Sequence, residues 1–350
     1  MSARERDDKV RDDAHGDVRD NVWHKSTEGT RYLDEGAVEP VTRIANAFLA
    51  GVERVMVGKT DVAELVLVAL LSEGHVLLED VPGLGKTMLA KAASVSLGCR
   101  FQRIQCTPDL LPSDVTGVQF YDQHSGTFTF RPGPLMSNLV LVDEINRATP
   151  RTQSALLEAM QEQQITVDVE TVPLPGPFML MATQNPVELE GTFPLPEAQL
   201  DRFLFRLRMG YPTFEQEGEI LSRFQEEDPL PGLSPVAEAD ELIVLQDLCR
   251  RVYVAPTVRD YIVALVRGTR EDVDVRLGAS PRASLGLQRA AQSLAAVRGR
   301  AYILPDDVKY VATPVLAHRL IVKTEARLRG RVAEAVVEEL LSSVPVPVEA

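Results

Sequence analysis

Residues 75–99 set a short apolar run before a glycine-rich turn and a helical stretch, and that succession restricts the fold more than any other feature of the chain. His75-Val-Leu-Leu-Glu79 reads as a buried strand, Asp80-Val-Pro-Gly-Leu-Gly85 as a turn, and Lys86-Thr87-Met88 as the start of an alanine-rich helix. Gly83 and Gly85 permit close backbone approach, Pro82 stiffens the turn, and a helix N-terminus turns free N–H groups toward whatever sits there. The unit is a phosphate cradle: Lys86 is suited to neutralise β- and γ-phosphates, and the Thr87 hydroxyl to ligate magnesium. The usual pattern is glycine, any four residues, then Gly-Lys-Ser/Thr, and here Asp80 replaces the leading glycine. On this motif alone, an ordinary glycine-rich strand–helix turn stays open.

A second Gly-Lys-Thr, Gly58-Lys59-Thr60, follows a helical pattern instead of a strand and carries Glu53 where the leading glycine belongs. It is read as a decoy. Beyond the first strand, short apolar runs at 101–106, 139–143, 178–183 and 203–207 alternate with helical or loop stretches. Five buried strands with helices between them imply a parallel sheet covered on both faces. Helices are expected over 44–57 and 62–72, then over 214–226, 239–252, 257–270, 282–298, 306–317 and 332–341, with no strand after Gly210. Pro256, Pro281 and Pro305 stand where a first helical turn tolerates proline. The expected organisation is a charged disordered tail over 1–36 that includes Trp23, an α/β core over 37–210, and a smaller all-helical domain over 211–350.

The second half of a phosphate site is Leu139-Val-Leu-Val-Asp143-Glu144. A buried strand ending in two carboxylates delivers charge to the carboxyl edge of a parallel sheet, where such sheets bind ligands. Asp143 suits magnesium, and Glu144 suits orienting and deprotonating a water. In isolation the same residues would read as a strand running out into an acidic loop. The run at 178–183 ends in Gln184-Asn185-Pro186, so an amide also reaches that edge.

Composition narrows the partners. A formal charge of −14 repels a phosphate backbone, which argues against nucleic acid as the main ligand. No apolar run approaches the roughly 20 residues that span a bilayer, and the charged start lacks the apolar segment of a signal peptide, so a cytoplasmic protein without membrane insertion is expected. Three cysteines and five histidines show no metal-ligand spacing.

Taken together, Leu-Leu-Glu79-Asp80-Val-Pro-Gly-Leu-Gly-Lys-Thr87, Asp143-Glu144-Ile-Asn-Arg-Ala148, Ala182-Thr-Gln-Asn-Pro186, Glu197-Ala-Gln-Leu-Asp-Arg-Phe203 and Gly278-Ala-Ser-Pro-Arg282 resemble the MoxR family of AAA+ ATPases, in the group with an insert in the second core helix. The resemblance covers roughly residues 41–320, and Asp80 in place of glycine is usual within it. It implies a P-loop AAA+ core with a five-stranded parallel sheet and a helical lid. It also implies ATP and Mg²⁺ as cofactors, the nucleotide being held by Asp80, Val81, Pro82, Gly83, Leu84, Gly85, Lys86, Thr87 and Met88. Backbone at Val57 and Gly58 lies where the family contacts the base; Asn185 looks like the first sensor, Arg202 like an arginine finger for the neighbouring subunit, and Arg282 like the second sensor. On these roles, a lid carrying Arg282 could close over the nucleotide.

Alternating patterns at 118–131 and 165–172 read as hairpins that either extend the core or face a pore or partner. The function so implied is a chaperone-like ring ATPase, a homo-oligomer expected to be hexameric, working with a protein that carries a von Willebrand factor A domain. A nucleotide-gated scaffold with incidental hydrolysis is the alternative from another class. A nucleic-acid motor is disfavoured by the charge.

Overall fold

The computed structural model describes residues 23–25, 31–124, 126–168, 170–186, 191–226 and 228–347. Its centre is a parallel sheet of β1 (Val76–Glu79), β2 (Phe101–Gln105), β3 (Leu139–Asp143), β4 (Met179–Gln184) and β5 (Phe205–Leu207), in the spatial order β5-β1-β4-β3-β2. The three central strands are buried without interruption apart from their last residues, as sequence runs such as Leu139-Val-Leu-Val142 require when both faces are covered. Alternation along them divides the interior. Val76, Leu78, Leu141 and Met181 face one apolar cluster, while Leu77, Val140, Val142 and Leu180 face the other.

Helices α1 (Glu39–Val55), α2 (Thr60–Leu71) and α3 (Lys86–Ser96) cover the first face, and α4 (Pro150–Glu162) covers the second. Val41, Ile44, Ala45, Phe48, Val52 and Val55 form the buried stripe of α1, at intervals of three and four. α2 is buried on nearly every side because the second domain packs over it. That domain comprises α5 (Phe214–Glu226), α6 (Ala239–Arg250), α7 (Pro256–Glu271), α8 (Pro281–Val297), α9 (Pro305–Leu316) and α10 (Ala333–Ser343), so all six expected helices form. Proline occupies the first turn of α7, α8 and α9. α8 lies against α1 and α2, and the first apolar cluster runs unbroken from the sheet into this domain.

Two expectations need correction. Residues Val275–Leu277 and Ile321–Val322 pair as an antiparallel ribbon, so the second domain is not purely helical; elements of three and two residues are too short to show a period. Residues Trp23–Lys25 and Arg31–Leu33 also pair antiparallel, and Leu33 and Val38 are buried in the core, so order begins before residue 37. The rest of the expected tail, 1–22 and 26–30, lies outside the described residues, as does the Trp23 side chain. Both hairpins form, as Gly117–Asp122 with Thr127–Pro132 and as Gln164–Val167 with Glu170–Pro173. Among the described residues, no helix is long and apolar enough to cross a membrane.

Two buried histidines give the fold a pH response. His75 Nδ1 accepts the Leu180 N–H at 3.1 Å, leaving Nε2 to donate to the Met160 carbonyl at 2.9 Å, and burial pushes its pKa down to about 4. Burial, then the neighbouring Arg319, pushes His318 well below its usual value too. Below the unfolded pKa of 6.5 the unfolded chain binds more protons than the folded one, so stability is complete above that pH and is lost as pH falls toward 4. Denaturant unfolding is expected to lose about 3 kcal/mol through His75 alone across this window. His75→Gln should flatten the pH profile by that share.

Candidate active site

The carboxyl edge of the sheet gathers the site. Because β4 lies between β1 and β3, its exit delivers Asn185 between the phosphate loop and the Asp143-Glu144 pair. Pro82, Gly83, Gly85, Lys86, Thr87, Met88, Lys91, Arg103, Gln105, Asp143, Glu144, Thr183 and Asn185 line one cavity of about 450 Å³, large enough for a nucleotide's phosphates and sugar. Gly83 and Gly85 have φ near +87° and +86°, which a side chain would strain, and a Cβ on Gly83 would point into open space. That opening lies above the N-terminus of α3, whose free N–H groups suit a phosphate. Lys86 folds back on this opening, Nζ lying 2.6 Å from the Asp80 carbonyl, with its pKa lowered first by burial.

Asp80 acquires a structural reason. Its carboxylate accepts the Met209 N–H at the end of β5, so the residue replacing the leading glycine ties the phosphate loop to the neighbouring strand. Lys59 behaves as a decoy should. Its Nζ donates to the carbonyls of Met209 and Gly210, at 2.6 and 3.0 Å, and pins the exit from β5 instead of a phosphate. Val57 is buried, and Gly58 borders a second cleft of about 430 Å³ shared with Arg206, Arg208, Thr313 and Glu334. The Met56 methyl lies 3.2 Å from where a Cβ on Gly85 would stand, so this turn adjoins the phosphate loop.

The carboxylate pair is held by residues that sequence reasoning left unassigned. Thr183 Oγ1 donates to Asp143 Oδ1 at 2.6 Å and accepts the Glu144 N–H at 2.8 Å, fixing both residues. Arg103, on β2, donates to Asp143 Oδ2 at 2.6 Å through Nη2 and at 3.1 Å through Nε. Glu144 Oε2 accepts from Gln105 at 3.2 Å and from Arg147 at 3.0 Å. Glu144 itself adopts φ +56°, a left-handed conformation uncommon outside glycine and concentrated at functional sites. The one available signal was the spacing of Arg103 and Gln105, two apart on a strand and therefore on one face. Asp143 and the Thr87 hydroxyl are hard oxygen donors at one rim of the cavity, which suits a magnesium ion, and such an ion would neutralise charge on the phosphates. The contribution of this chain is to fix Asp143 and aim Glu144. Thr183→Val is expected to lower turnover about 10- to 100-fold and to raise the magnesium concentration needed for nucleotide binding, measured by titration calorimetry.

Two site residues lie elsewhere. Leu204 donates its N–H to the carbonyl of His75, the residue just before β1, at 2.9 Å, so Arg202 stands at the amino edge of the sheet. Its Nη1 rests 2.7 Å from the Leu157 carbonyl of α4. Arg282 is exposed on the first turn of α8, whose Gly286 packs on Leu204, and its charge is felt by His75 and Arg319. From that edge to the phosphate loop is the length of β1, about 15 Å at 3.3 Å per residue. Arg282 therefore stands toward the amino edge in this structure, where Gly286 of α8 packs on Leu204.

Fold and site together define a P-loop ATPase of the AAA+ class, with its helical domain as the lid. Family models agree: the ATPase family associated with various cellular activities (AAA) matches residues 75–205, and the AAA lid domain matches 267–340. An uncharacterised protein of Bacillus subtilis, YeaC, is 54% identical across 85% of this chain and 93% of its own. Chaperone MoxR1 of Mycobacterium tuberculosis is 44% identical across 89% of this chain and 85% of its own. A crystal structure of a candidate ATPase from Cytophaga hutchinsonii superposes with a TM-score of 0.84 at 36% identity, covering 90% of this chain and 98% of that one. The chain belongs to the MoxR family of AAA+ ATPases, and ATP hydrolysis is the chemistry of the site.

Proposed function

We propose that the protein is a chaperone-like remodeller that hydrolyses ATP at the interfaces of a homo-oligomeric, hexameric ring. The observation that carries this reading is the division of the site. Lys86, Thr87, Asp143, Glu144 and Asn185 share the carboxyl edge, whereas Arg202 and Arg282 stand about a strand's length away at the other. Phosphoryl transfer needs a cation on the γ-phosphate, and a head-to-tail ring brings one subunit's amino edge to the next subunit's cavity. Thr87 and Asp143 would hold magnesium, Glu144 would take the proton of the attacking water, and Asn185 would orient it. Arg202 would act as the finger in trans, and Arg282 beside it as the lid's sensor for the same neighbour.

A chaperone-like role accords with the name of the mycobacterial relative. A partner with a von Willebrand factor A domain belongs to the same family reading. The test is trans-complementation between subunits lacking Arg202 and subunits lacking Glu144, read as ATPase activity of the mixture. Activity restored by mixing supports shared interfaces; additive, unrestored activity sinks them.

A further inference from the structure

The segment that bears Arg202 is gripped by the lid from two directions. Arg319, on the turn after α9, is buried, its side chain only 3% exposed, and donates through Nε to Asp201 Oδ1 at 2.8 Å. Its Nη2 reaches the carbonyls of Phe203 at 2.6 Å and Asp201 at 3.3 Å, and its Nη1 reaches those of Leu204 at 3.4 Å and Val315. One guanidinium thus spans the backbone on both sides of Arg202. Asp201 Oδ2 accepts a second lid group, the Ser280 hydroxyl at 3.2 Å, two residues before Arg282.

The chemistry of this cluster exceeds what docking a domain requires. A buried arginine is tolerated only when paired, and truncating either member leaves an uncompensated charge. Burial lowers the Arg319 pKa to about 10, so the group stays charged at neutral pH. Its five N–H donors form a rigid fork, which fixes the direction of the 201–204 backbone as well as its distance. The Arg202 guanidinium, by contrast, is not part of this cluster: its Nη1 donates to the Leu157 carbonyl of α4 at 2.7 Å.

We propose that Arg319, with Ser280, is a positioning latch: through Asp201 the lid sets where Arg202 is presented to a neighbouring subunit. Lid movement in one subunit would thereby alter hydrolysis in the next. The proposal rests on Arg202 acting in trans.

The test uses full-length acceptor subunits carrying Arg202→Ala, whose own cavity is intact, mixed with donor subunits carrying Glu144→Gln, which cannot hydrolyse but retain Arg202. Donors that also carry Arg319→Lys keep the buried charge but lose the fork. They are expected to restore at least about tenfold less activity to the acceptors, since small misplacements of a reacting group cost up to about 10²-fold. The KM for ATP should not change, because the acceptor's own loop holds the nucleotide. Ser280→Ala donors, a milder change, should restore about two- to threefold less. Both donors are checked for assembly by light scattering, and if Arg319→Lys subunits fail to assemble, Ser280→Ala alone decides. Restoration by assembled latch variants equal to that given by plain Glu144→Gln donors overturns the latch while leaving the finger standing. If plain Glu144→Gln donors restore nothing, the trans reading falls and the latch falls with it.

Discussion

Glu144→Gln is expected to lower ATP turnover by about 10²–10⁴-fold while leaving nucleotide affinity within a factor of a few. Glutamine keeps the length and one acceptor oxygen of glutamate, so the contacts with Gln105 and Arg147 can persist and the left-handed turn at Glu144 is not disturbed. What disappears is basicity: an amide cannot take the proton that an attacking water must lose. Nucleotide would be held by other groups lining the cavity, the phosphate loop at Gly83–Thr87 and Asp143, none of which changes. Single-turnover hydrolysis at saturating ATP, paired with binding of a fluorescent ATP analogue, separates the two effects. Turnover within about threefold of wild type would show that another group activates the water. Loss of binding together with turnover would mark Glu144 as structural.

Much of this site is local in the chain, which is why it can be read from sequence. The phosphate loop is a strand, a turn and a helix start in succession, and the carboxylates close an apolar run. Buried parallel strands also announce themselves, since two covered faces forbid polar interruptions. What escapes is pairing over long separations. Arg103 reaches Asp143 across 40 residues and Thr183 reaches the same carboxylate from 40 residues away on the other side; the spacing of Arg103 and Gln105 marks a shared face but not the partner it meets. The family pattern accounts for Asp80 as a residue type, but its physical partner, the Met209 N–H 129 residues on, is visible only in the fold. The location of Arg282 is illegible for the same reason: motif identity assigns it to the lid, but only the packing of Gly286 on Leu204 says which edge of the sheet the lid meets.

Arg202→Ala should also silence the enzyme, by roughly 10³-fold in kcat, yet through a different subunit. The reach from the amino edge to the phosphate loop, about 15 Å along β1, exceeds what an arginine side chain can span within one chain. An isolated variant cannot separate a finger from a structural arginine, since both abolish activity in a homogeneous sample. Mixing can. Arg202→Ala subunits possess a complete loop and an intact Glu144; Glu144→Gln subunits possess an intact Arg202. In a random head-to-tail ring of equal parts, roughly a quarter of interfaces pair a working cavity with a working finger. Activity should therefore rise from near zero to about a quarter of the wild-type rate, following the product of the two fractions as the ratio is varied. A cis role for Arg202 predicts a flat, inactive series. The affinity of Arg202→Ala subunits for ATP should stay close to wild type, because the charge removed stabilises the transferring phosphoryl group more than the bound nucleotide.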